Sequence, residues 1–124
     1  MSAKKDSKYW ERNLIVRLLG FRTYTEYLES DIWEDIRVDV LTSATECVAC
    51  DRRPTQVHHE EYTRENLSGA SLEFLHGICR RCHYEIEFTP TGRKRTLERA
   101  NSKLRQLVTR KSKLVKSISR ESQA

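Results

Sequence analysis

Apolar residues in the first 45 positions recur at helical spacing, and the pattern predicts two main helices. Ser7 can cap one that runs through Leu19, where Gly20 suits its end; Tyr9, Trp10, Leu14, Ile15, Leu18 and Leu19 give it a broad stripe for burial. Residues 23 to 29 read as helical or extended. Ser30 or Asp31 can cap a second helix in which Trp33, Ile36, Val40 and Leu41 return at helical intervals.

From 47 to 88 that periodicity gives way to short segments. Gln56, Val57 and His58 fit a brief strand, Asn66, Ser68 and Gly69 mark a loop, and the run HYEIEF after Cys82 begins a helix that Thr89, Pro90, Thr91 and Gly92 bring to a close. Beyond it, Leu97, Leu104, Lys111 and Ile118 stand seven apart, with Ala100, Leu107 and Leu114 at the complementary heptad positions. This predicts a helix over 93–120 with a narrow apolar seam. The chain thus divides into a helical region over 1–45, a central unit over 46–92 and a C-terminal helix over 93–124.

Charge separates along the same lines. Residues 93–120 hold eleven Lys or Arg against the single Glu98, a local charge of +10, whereas residues 1–92 sum to −4. A basic helix on a mildly acidic body points to a polyanionic partner, with Arg93, Lys94, Arg95, Arg99 and Lys103 as candidate phosphate contacts. The reading without a partner is a solubilising helix whose seam packs on the core. Dimerisation through Leu97, Leu104, Leu107 and Leu114 is a further reading, weakened by Lys111 in the seam, and a monomer is the expectation.

With 124 residues, 33% of them charged, the chain is polar for its size and in need of a staple beyond hydrophobic burial. No apolar run is long enough to span a membrane and no secretory pattern opens the sequence, so a cytoplasmic location with reduced thiols is expected. The four cysteines then read as metal ligands. Cys47-Val-Ala-Cys50 and Cys79-Arg-Arg-Cys82 form two Cys-x-x-Cys turns that together complete a tetrahedral thiolate shell for one structural Zn2+. A redox pair or buried apolar thiols are the competing readings.

His58 and His59 stand inside the segment that the two turns enclose, and His83 follows the last thiol directly. If His58 and His83 face one another they can share a second divalent cation with open positions, as phosphodiester chemistry requires. His59 points to the other side of the strand and is then free to act on water.

The stretch CVACDRRPTQVHHEEYTRENLSGASLEFLHGICRRCHYEIE, Cys47 to Glu87, resembles the HNH endonuclease family in its order of Cys-x-x-Cys, a His pair, and Cys-x-x-Cys-His. With the upstream run YLESDIWEDIRVDVL the resemblance covers roughly residues 27–88. It implies a small α+β fold of bacterial or phage type: a zinc-stapled ββα-metal (His-Me finger) core flanked by N-terminal helices and the basic C-terminal helix. It further implies a DNA endonuclease using one Mg2+ or other divalent cation such as Mn2+, with His58 and His83 as its ligands and His59 as general base. Products would carry 5′-phosphate and 3′-hydroxyl ends.

Two positions depart from the family pattern. Phe74 stands where an Asn or Asp commonly orients the loop bearing the base, and Asn66 is the candidate to replace it. Glu87 stands where a further His is often found and can serve as an outer-shell or direct metal carboxylate. Tyr62 fits the His-His-x-x-Tyr form, under the loop or against DNA; Arg80 and Arg81 are further phosphate candidates. His76 reads as structural, and Glu60, Glu61 and Glu65 as a solvated loop. The alternative function is a zinc-stabilised DNA-binding module whose catalysis has decayed.

Overall fold

The computed structural model describes residues 7–123. Its elements run α1 (Ser7–Leu18), α2 (Tyr24–Leu28), α3 (Asp31–Ser43), β1 (Gln56–His59), α4 (Arg64–Ser68), β2 (Leu75–Ile78), α5 (Arg80–Glu87) and α6 (Leu97–Gln123). It is a small mixed α/β fold with a two-stranded antiparallel sheet.

Ser7 already lies within α1, so any cap for that helix falls outside the described residues. Gly20 ends it at φ +103°, and Phe21 N–H donates back to the Val16 carbonyl at 3.1 Å, the left-handed finish that glycine permits. The expected broad stripe is only partly covered. Val16 is buried with Ile15 and Leu19 packed beside it, whereas Trp10, Leu14 and Leu18 stay exposed because nothing described packs on that side. Thr23 caps α2, which settles residues 24–28 as helical. Ser30, not Asp31, caps α3: its Oγ accepts from Trp33 N–H at 3.3 Å and donates to the Tyr27 carbonyl at 2.6 Å.

In the sheet, Val57 pairs with Gly77 and His59 with Leu75, while Gln56 pairs with Ile78 and His58 with His76. Alternation sends Val57, His59, Leu75 and Gly77 to one face and Gln56, His58, His76 and Ile78 to the other. A core lies on each face. The first gathers Val16, Tyr27, Trp33, Ile36, Val40, Val57, Leu67 and Leu75 under the N-terminal helices. The second joins the cysteines to Ala49, Ile78, Ile86, Leu104 and Leu107 under α5 and α6. Gly77 admits close approach, since a Cβ there would meet Ala44 Cβ at 2.9 Å.

Three expected boundaries move. The loop at Asn66 and Ser68 is a short helix, capped by Thr63 and ended by Gly69 at φ +86°. α5 starts at Arg80, before Cys82, because the Cys79 thiol caps it and accepts from Cys82 N–H at 3.4 Å. α6 starts at Leu97, not 93: Phe88 bridges to Lys94, and Arg95 N–H donates to the Glu87 carbonyl at 2.7 Å, so residues 93–95 fold back along the chain. Thr96 then caps α6 through Arg99 N–H.

Of the seam considered above, Leu97, Leu104 and Leu107 are buried within this chain's own core, with Ala100 beside them, whereas Leu114 is exposed. Lys111 occupies its seam position for a polar reason: its Nζ donates to the Cys47 carbonyl at 2.6 Å and meets Glu46 at 2.7 Å, tying α6 to the first cysteine turn. Among the described residues no helix is long and apolar enough to cross a membrane.

Candidate functional site

The cysteine cluster comes together as the spacing predicts. All four sulfurs gather within 3.9 Å, with Cys50 Sγ 3.7 Å from Cys79 Sγ. Zn–S bonds of about 2.3 Å in a tetrahedron set sulfurs ~3.8 Å apart, so the donor set fits a zinc-sized ion. Backbone N–H groups of Ala49, Arg52 and Cys82 point at Cys47, Cys50 and Cys79, at 3.3, 3.4 and 3.4 Å, which stabilises thiolate charge. Cys47, Cys79 and Cys82 are buried and Cys50 is half-buried. Such a shell is closed and leaves no position for a substrate.

A second group, His58, His83 and Glu87, offers one ligand atom each within 4.8 Å of the others. Hydrogen bonds behind the rings decide which atoms those are. Asn101, on α6, donates through Nδ2 to the Glu60 carbonyl at 2.9 Å, and its Oδ1 lies 2.8 Å from His58 Nε2. A carbonyl cannot donate, so the amide orientation is fixed and His58 Nε2 must carry the proton. Its lone pair is then on Nδ1. Gln56 Oε1 lies 2.6 Å from His83 Nδ1; in a neutral ring that donates from Nδ1, this leaves the lone pair of His83 on Nε2, 3.2 Å from Glu87 Oε1. That contact is satisfied by a proton on Nε2, giving an imidazolium–carboxylate pair, or by a cation held between the two atoms.

The hydrogen bond from His83 holds the Glu87 carboxyl down at about 2, against the opposing pull of burial and with help from Lys94 at 2.9 Å. Burial lowers His58, partly offset by its Asn101 bond. Lys94 is half desolvated, yet the Glu87 carboxylate outweighs that and raises it.

His59 is on the opposite face, held between Trp33 at 5.1 Å and Tyr62 at 5.0 Å, both rings nearly parallel to its own. Burial, aided by His58 and His83, pushes its pKa down to about 3, so the ring is neutral throughout the working pH range. Its Nε2 is buried and finds no hydrogen-bond partner among the described residues. A buried nitrogen left so costs about 1–3 kcal/mol and calls for a ligand or water.

A hollow of about 600 Å3 joins the two faces, lined among others by His59, Tyr62, Gln56, His83, Glu87 and Lys94. Arg12 and Arg37 complete its cationic wall. The Arg12 guanidinium sits 3.8 Å over the Tyr24 ring and 5.5 Å from that of Tyr62, which holds it in place.

The other expected residues divide. Asn66 is 1% exposed and its Nδ2 donates to the carbonyls of Ser71 and Glu73, at 3.1 and 2.5 Å, so it pins the loop that Phe74 does not. Phe74 itself is 38% exposed at φ +70°. Tyr62 packs against the first core and stacks on His59. His76 lies 3.3 Å from the Glu60 carboxylate, outside the ligand group. Arg80, Arg81, Arg93 and Arg99 are exposed, Lys103 and Arg95 half-buried, and Arg95 Nε is without a partner.

Sequence reasoning passed over Gln56, Asn101, Arg12 and Arg37. Strand alternation from His58 reaches Gln56, and an Asn inside a helix, where its propensity is poor, marks Asn101. The two arginines carried no local signal. No protein-family model, curated protein or solved structure matches this chain.

Proposed function

We propose that this protein is a metal-dependent DNA endonuclease of the HNH type, in which β1, β2 and α5 form the ββα-metal core. The observation that carries this reading is the convergence of three metal-ligating side chains, His58, His83 and Glu87, beside a hollow lined by His59, whose Nε2 has no hydrogen-bond partner among the described residues. Asn66 supports it further, because the loop-pinning role that Phe74 cannot fill is occupied.

His58, His83 and Glu87 would hold the ion, oriented from behind by Asn101 and Gln56. A bound Mg2+ or Mn2+ supplies charge stabilisation for the scissile phosphate and its leaving oxygen. His59 accepts the proton of the attacking water, and Trp33 and Tyr62 fix the plane of its ring. Lys94, Arg12 and Arg37 surround the hollow with positive charge suited to a phosphodiester. The exposed bases of α6, with Arg93 and Arg99, grip the backbone without reading sequence.

The direct test incubates supercoiled plasmid with zinc-loaded protein and either Mg2+ or Mn2+. Nicked or linear product is expected only with added metal, and not from a His83→Ala variant. No product across metals and pH 6–9 would sink the activity and leave the DNA-binding module.

Asn101 gives a separate check. Asn101→Leu frees the His58 tautomer and is expected to weaken Mn2+ binding about 10–100-fold, as loss of an outer-shell partner does elsewhere. Mn2+ titration followed by electron paramagnetic resonance reads this, with zinc content unchanged as control. Equal Mn2+ affinity in both proteins would contradict the assigned ligand atoms.

A further inference from the structure

A second hollow, of about 790 Å3, opens beside the first and shares Gln56, His83 and Glu87 with it. Its walls carry four arginines. Arg52 and Arg53 come from the segment between the first cysteine turn and β1, and Arg80 and Arg81 from the first turn of α5. All four are exposed, and none has an ion-pair partner among the described residues. The one acid in the lining is Glu87, already engaged by His83 and Lys94.

Between these cations lie two aromatic rings. Tyr84 and Phe88 stack with centroids 4.7 Å apart and planes 23° off parallel. Lys94 stands 5.6 Å over Phe88, and Tyr84, 58% exposed, is the outer ring of the stack. A flat apolar surface beside uncompensated guanidinium groups matches a polymer that is anionic along its backbone and planar in its side groups. A protein segment supplies one or the other at each position; a nucleic-acid strand supplies both at every residue.

An intact duplex cannot use such a surface, because its bases are stacked inward and offer only their edges. We infer that this groove takes an unpaired stretch of nucleic acid, laying one base on the Tyr84–Phe88 stack while Arg52, Arg53, Arg80 and Arg81 hold flanking phosphates. The shared residues His83 and Glu87 put the strand's next phosphate at the metal-ligand group. The substrate class is therefore single-stranded or locally opened nucleic acid. Only the cutting of that strand rests on the nuclease reading above; its binding does not.

The test measures binding of a fluorescein-labelled oligonucleotide of mixed sequence by anisotropy, using zinc-loaded protein with no Mg2+ or Mn2+ added. Single-stranded DNA, single-stranded RNA and duplex DNA of the same sequence are compared. At least one single strand is expected to bind about tenfold more tightly than duplex, and comparison of the two tells whether a 2′-hydroxyl matters. The double variant Tyr84→Ala, Phe88→Ala is expected to lose about 5–160-fold of single-strand affinity, the range for one stacked base, with duplex affinity unchanged. Arg80→Ala with Arg81→Ala should weaken both and flatten the salt dependence.

Equal affinity for duplex and single strand, or no loss in the aromatic variant, would overturn the proposal, as would a groove that binds no oligonucleotide. Circular dichroism confirms that the variants fold; Tyr84 is exposed and Phe88 is half-buried at the C-cap of α5. A protein that stacks the base but never cuts overturns the nuclease reading alone. One that cuts single strands with undiminished activity after loss of both rings overturns this inference alone.

Discussion

Replacing Cys82 with alanine is expected to unfold the centre of the molecule. Structural zinc in small peptides contributes about 10 kcal/mol or more to folding, as large as the whole stability of a typical domain at roughly 5–15 kcal/mol. The second core shows why this chain depends on it. Apart from three cysteines it consists of Ala49, Ile78, Ile86, Leu104 and Leu107, too few to order α5, α6 and the loop from 47 to 55 by burial alone. Cys82 is itself 8% exposed, so alanine leaves both an incomplete metal shell and a small void. Far-UV circular dichroism and zinc content of the two proteins should fall together, and chelator-treated wild type should lose the same signal and regain it with Zn2+. An unchanged spectrum in metal-free protein would contradict a structural role. Omission of Mg2+ should leave the spectrum as it is.

What could be read in advance follows from how far each interaction reaches along the chain. Ser30 and Gly20 act within four residues, and α1 and α3 were legible from them. The cysteine turns are local pairs, and strand alternation alone separates His58 from His59. Periodicity says which side of a helix is apolar and not whether a neighbour covers it, hence the error over Trp10, Leu14 and Leu18. α4 spans five residues, too few to show a period, and its Thr63 cap carried the only signal. α5 begins with a thiol in the capping role, outside the usual Ser, Thr, Asp and Asn. Arg93 to Arg95 looked helical because their composition suits a helix, but their backbone is claimed by Phe88 and Glu87. The Asn101 bond to His58 spans 43 residues and Tyr27 to Leu67 spans 40; no spacing rule reaches those.

His59→Ala bears on the proposed chemistry more heavily than any other single change. A positioned general base contributes about 10²–10⁴-fold, and one held well below the working pH falls at the low end, so the rate of plasmid cutting should drop by about 10²-fold while DNA binding without metal stays constant. The pH profile separates this role from a merely structural one. An ordinary histidine near 6.5 would be protonated below that value and lose activity about tenfold per pH unit. With its pKa down at about 3, His59 stays neutral, and cutting should hold between pH 7.5 and 5.5. Folding carries the opposite sensitivity. The unfolded chain takes up a proton near pH 6.5 and the folded one only near 3, so the stability tied to neutral His59 is complete above 6.5 and drains away as pH falls towards 3. His59→Phe, which keeps a ring between Trp33 and Tyr62, should abolish cutting yet flatten that decline in urea unfolding. Should the phenylalanine variant cut at the wild-type rate, His59 is not the base, and Trp33, His59 and Tyr62 are a stack that serves the fold alone.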